Sequence, residues 1–171
     1  MMRFIACCCL FEWSVAVSAE AIEPQLYLLK LTANQTSEQQ GDELYIDVTV
    51  YPSKGKATHF QVPQYPLSWP SRALNELTEV KLWGDALKEG ESVTLIVSLV
   101  EQDSPPWDTD DLIGSLRVRL KNNAGDLEST WSVPNRTDAP VSINTKHGPA
   151  KRFHLTGDNS RYEMILHLKE E

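Results

Sequence analysis

The sequence predicts an all-β fold, an antiparallel β-sandwich of eight strands, and three observations carry that prediction. Apolar and polar residues alternate with period two through most of the chain after residue 25. Clusters of Gly, Asn, Asp and Lys interrupt the alternation at intervals suited to tight turns. The ten prolines all fall outside the strongest alternating runs, as a residue that cannot donate to a ladder must.

Taken in order, the first expected strand spans 26–31. The second is Leu44-Tyr45-Ile46-Asp47-Val48-Thr49-Val50, with its aliphatic members on one face and mostly polar ones on the other. Residues 71–77 suit only a turn or two of helix, and a weak strand is expected over 79–83. Val93, Leu95, Val97 and Leu99 alternate in a fourth strand. Leu116, Val118 and Leu120 face one way in a fifth, while Arg117 and Arg119 face the other. Weak strands follow at 127–131 and 152–155. In the last, Tyr162, Met164, Leu166 and Leu168 alternate with Glu163, Ile165 and His167. The stretch 135–149 reads as irregular. About eight short strands divided by turns describe a sandwich.

The start of the chain follows a different rule. Arg3 precedes the apolar run Phe4-Ile5-Ala6-Cys7-Cys8-Cys9-Leu10-Phe11, which is too short to span a bilayer. Small residues at Val17-Ser18-Ala19 then suit a signal peptidase. Residues 1–19 are therefore expected to be an export signal, leaving residues 20–171 as one domain that is secreted or periplasmic. All three cysteines lie in the removed segment, so disulfides and thiol chemistry are excluded from the mature domain. The net charge of −8 excludes a general nucleic-acid binder, which needs clustered Lys and Arg.

Chemistry concentrates in Glu101-Gln102-Asp103-Ser104-Pro105-Pro106-Trp107-Asp108-Thr109-Asp110-Asp111-Leu112-Ile113-Gly114, where five carboxylates fall within eleven residues. Glu101 and Asp103, two apart, project to one side if the strand continues. Asp108, Asp110 and Asp111 return on the far arm. Like charges this close resist joint ionisation, and a hard cation such as calcium, taking six to eight oxygens, would relieve them. A solvated acidic loop without a ligand explains the same residues.

The pattern Glu101-x-Asp103 closing one strand and Asp111-Leu112-Ile113-Gly114 opening the next resembles the third calcium loop of C2 domains. Gly41-Asp42-Glu43-Leu44-Tyr45 is similar to the segment that follows the first calcium loop of that family. The resemblance spans roughly residues 25–120. It implies a C2-like sandwich with Asp42, Glu101, Asp103 and Asp111 as calcium ligands, and Asp108 or Asp110 filling in. The chain departs from the family in carrying Glu101 where Asp is usual and in a longer acidic loop. It also lacks the partner expected before Asp42. Trp107, at the loop tip, and Trp69, flanked by prolines, would stand at one end as a membrane or partner contact, or fold back and plug the mouth.

No metal-ligand spacing links His59, His147, His154 and His167, and the last two are expected as surface residues of the final hairpin. Nucleophile elbows, phosphate loops and dinucleotide fingerprints are absent, and no carboxylate pair is singled out as acid and nucleophile. The expected function is a secreted, non-enzymatic, C2-like binding module. It docks as a monomer on phospholipid head groups or on a protein, through calcium if the ligand set is complete. The alternative is a metal-free structural or protein-interaction domain.

Overall fold

The computed structural model describes residues 21–103, 109–134, 140–157 and 159–170. The expected export signal, with all three cysteines, lies outside them, as do Trp107 and Asp108. Among the described residues there are eleven strands: β1 (Pro24–Gln35), β2 (Glu43–Pro52), β3 (Thr58–Val62), β4 (Trp69–Pro70), β5 (Val80–Gly84), β6 (Ser92–Glu101), β7 (Asp111–Asn123), β8 (Asp126–Ser132), β9 (Val141–Thr145), β10 (Gly148–Gly157) and β11 (Ser160–Glu170). One 3-10 helix, Ser71–Glu76, accounts for the expected helical turns. The eight expected strands are all present. The count rises through β3, β4 and β9, short strands whose alternation is too brief or too polar to read from sequence. β9 runs through the stretch expected to be irregular.

The strands form two antiparallel sheets, one in the order β5-β1-β11-β10-β9 and the other β3-β2-β6-β7-β8, with β4 also paired to β2. Period-two burial shows which faces meet. Leu44, Ile46 and Val48 of β2 and Leu95, Val97 and Leu99 of β6 have no exposed surface. They pack against Leu26, Leu28, Phe153, Met164 and Leu166 of the other sheet within one core. Each such side chain contributes about 1.5–3 kcal/mol by leaving water. Packing of the inner faces therefore holds the domain together.

The sheets approach most closely where β10 meets β7. A Cβ on Gly157 would lie 2.5 Å from the carbonyl oxygen of Ile113, so only glycine lets the two backbones pass. The charged ends of the strands follow from the connectivity. β6 finishes and β7 begins at one end of the sandwich, where β2 also begins. The carboxylates of all three are thereby gathered at that end.

His167 departs from its expected surface position: it is 5 % exposed. β11 is the central strand of its sheet, and its outer face is covered too. Gly148 lies against the His167 ring, and Nδ1 donates to the Pro149 carbonyl at 2.7 Å. His154, by contrast, is exposed, as expected.

Candidate functional site at the acidic end

Two separate stretches meet at this end. Leu44 pairs with Glu101, Glu101 pairs with Asp111, and the Gln102 N–H donates to the Glu43 carbonyl at 2.6 Å. Asp42, one residue before β2, is therefore brought beside the end of β6.

Asp42 has no exposed surface, and its carboxylate is surrounded by donors. The Ser37 and Glu38 N–H groups donate to it at 3.4 and 3.1 Å, and Ser37 Oγ lies 3.2 Å from Oδ1. The Tyr162 hydroxyl donates to Oδ2 from across the core. The local sequence explains the arrangement. Gly41 closes the turn with φ +89°, and a Cβ there would sit 2.5 Å from Ser71 Oγ. Ser71 in turn receives the Asp42 N–H on its hydroxyl at 3.0 Å and donates its own N–H to the Asp42 carbonyl at 2.8 Å. One residue thus ties together three parts: its carboxylate joins the turn to β11, and its backbone joins both to the start of the 3-10 helix.

Glu101 shares Ser37 with Asp42. Its Oε2 lies 2.6 Å from Ser37 Oγ, and the residue is 3 % exposed. A single hydroxyl proton faces two buried carboxylates, so full bonding of the trio needs one more proton, which Glu101 supplies. Burial pushes its carboxyl up to about 7, with smaller upward contributions from Asp42, Asp103 and Glu38, against the lowering effect of the Ser37 hydrogen bond.

The returning arm is fastened separately. Asp110 accepts the Asp103 N–H on Oδ1 at 3.1 Å and the Tyr45 hydroxyl on Oδ2 at 2.9 Å. Burial, followed by Asp110, holds the Tyr45 phenol well above its ordinary range. Asp103 and Asp111 are half-buried, while Asp110 is exposed. Among the described residues no group of three or more His, Cys, Asp or Glu side chains is arranged to hold a metal ion. Asp42 in particular spends its oxygens on protein donors, so the calcium ligand set implied by the C2 resemblance would have to draw on Glu101, Asp103, Asp110 and Asp111.

The apolar residues at this end also have distinct positions. Trp69 pairs with Leu44, is half-buried and packs on the core. The exposed residues are its neighbours Tyr65 and Leu67, 69 % and 64 % exposed, and Leu112 on β7, 58 % exposed. Sequence reading missed Ser37, Tyr45 and Tyr162. Only Tyr162 left a usable sign, because a phenol on a core-facing position needs a polar partner.

No protein-family model matches the chain, and no curated protein matches it.

Proposed function

We propose that the protein is an exported, non-enzymatic binding module, a C2-like sandwich that docks a protein partner through its acidic end without needing a metal ion. The observation that carries this reading is the pairing of exposed apolar residues with carboxylates that are already satisfied. Tyr65, Leu67 and Leu112 offer contact area, and exposed Glu38, Glu43 and Asp110 add negative charge at the same end. A partner with apolar anchors ringed by Lys and Arg complements such a surface, and the net charge of −8 steers it there. The buried trio of Asp42, Glu101 and Ser37 stiffens the loops beneath.

Titration with a lysine-rich amphipathic peptide tests the reading. Affinity is expected to fall as salt rises from about 0.05 to about 0.15 M. It is expected to fall roughly tenfold more in the Tyr65→Ser, Leu67→Ser double variant. A double variant that binds as wild type contradicts the proposal.

A second reading, calcium-bridged docking on phospholipid head groups, is favoured by Asp103, Asp110 and Asp111 on the two arms of one loop. Exposed Tyr65 and Leu67 also suit a membrane interface. It requires cosedimentation with phosphatidylserine vesicles in millimolar calcium and none in chelator.

A further inference from the structure

A second site lies along the side of the sandwich, away from the acidic end, where the edge strands β8 and β9 border a cleft between the sheets. We propose that this cleft binds a small apolar carboxylate, an organic acid with an alkyl or aryl body. The first observation is an inverted strand. By register β9 places Val141 outward and Ser142 and Asn144 on the core-facing side, all three of them exposed because the cleft is open. The register fixes this orientation. Ser142 pairs with Lys151, and Lys151 pairs with Leu166, a fully buried core residue. Lys151 thus also points inward. Across the cleft, Ser129 and Trp131 of β8 pair with Leu120 and Val118, which are themselves fully buried.

Ser129, Ser142 and Asn144 stand on the core-facing side of these two edge strands and are exposed at the open cleft, where their hydroxyl and amide groups can meet a ligand. The cavity between them holds about 370 Å3, room for a ligand displacing on the order of ten waters. Its apolar wall is built from Trp131, Leu166 and Leu168. Trp131 is held in place from behind and at its edge. Its ring packs on Phe153 at 5.9 Å with a 35° tilt, and Nε1 donates to Ser129 Oγ at 3.1 Å.

The polar side is rich in donors. Lys151 Nζ donates to Ser142 Oγ at 2.6 Å. Ser142 therefore keeps its own proton to give, and the ammonium keeps two more. Among the described residues no carboxylate pairs with Lys151, although acidic residues outnumber basic ones, 24 to 16. An unpaired cation inside a half-apolar cleft of an acidic protein calls for an anion, and the Trp131 wall calls for an apolar body attached to it. A neutral sugar would need more acceptors than two serines and Asn144 supply.

Calorimetric titration of the purified protein with decanoate and with 3-phenylpropionate tests the assignment, the tighter of the two identifying the body as alkyl or aryl. Saturable binding at one site is expected for at least one acid. It should weaken at least tenfold in Lys151→Met and stay within a few-fold in Lys151→Arg. Decan-1-ol should not distinguish the variants. Thermal melts establish that each variant is folded. If Lys151→Met does not fold, Ser142→Ala replaces it, with a several-fold loss expected. The proposal is overturned by the absence of saturable binding for both acids, by unchanged affinity in a folded Lys151→Met (or in Ser142→Ala where that replaces it), or by glucose binding more tightly than either acid.

Discussion

Asp42→Asn is expected to destabilise the domain by about 3–4 kcal/mol, read as a lower midpoint of urea unfolding at unchanged slope. The substitution keeps the shape and removes one of the two acceptor oxygens. The Asn amide must turn its NH2 group toward one pair of donors that now meet it as like to like, either the Ser37 N–H and Tyr162 hydroxyl at the Oδ2 position or the Glu38 N–H and Ser37 Oγ at the Oδ1 position. With no exposed surface at residue 42, water cannot take over the lost bonds. Tyr162→Phe removes one donor and leaves the carboxylate three, so its cost should be about 1–2 kcal/mol. An Asp42→Asn protein within about 1 kcal/mol of wild type would mean that the carboxylate does not hold this end together.

The second large effect belongs to Glu101 and depends on pH. Its carboxyl is raised in the folded protein to about 7, whereas in the unfolded chain it titrates near the ordinary glutamate value. Between those two values the folded state binds more protons than the unfolded state. Stability must therefore fall as pH rises through that window and level off above it. The loss is at most about 3 kcal/mol, from roughly two and a half pK units at 1.36 kcal/mol each. Glu101→Gln fixes the neutral form and keeps an oxygen for Ser37. Wild type and variant should be equally stable near the lower bound, and the variant more stable by up to that amount at about pH 8. Parallel pH profiles for the two proteins would show that folding does not raise the Glu101 carboxyl.

The parts of the fold that could be read from sequence are those where one face of a strand is buried and the other is not. β2, β6 and β7 announce themselves through Leu44-Ile46-Val48-Val50, Val93-Leu95-Val97-Leu99 and Leu116-Val118-Leu120, every member of which is buried. β9 escaped because its polar residues face inward, so the alternation of Val141-Ser142-Ile143-Asn144 carries the opposite meaning. β3 escaped because a five-residue edge strand offers too few positions to establish a period. His167 was misjudged for a related reason: alternation assigns it to the outer face but does not reveal that Gly148 and Pro149, at the start of β10, cover that face.

At the acidic end, the meeting of Asp42 with Glu101 was expected from a family resemblance, since nothing local to either residue specifies it. Their chemistry depends on Ser37 and Tyr162, 64 and 120 residues from their respective partners. That pairing is a property of the folded chain, and it makes Asp42 a buried hydrogen-bond acceptor.

The most direct test of a metal-free docking end is a thermal melt at about pH 8, with Glu101 ionised, in millimolar calcium and in chelator. A specific ion present at a hundred times its dissociation constant would add about 2.7 kcal/mol, a shift of several degrees for a domain of this size. The expected result is superimposable curves, because Asp42 has no oxygen to give and Asp110 is fastened to Tyr45 and the Asp103 backbone. A rise of several degrees that disappears in the Asp103→Asn, Asp111→Asn double variant would contradict it and assign the end to calcium.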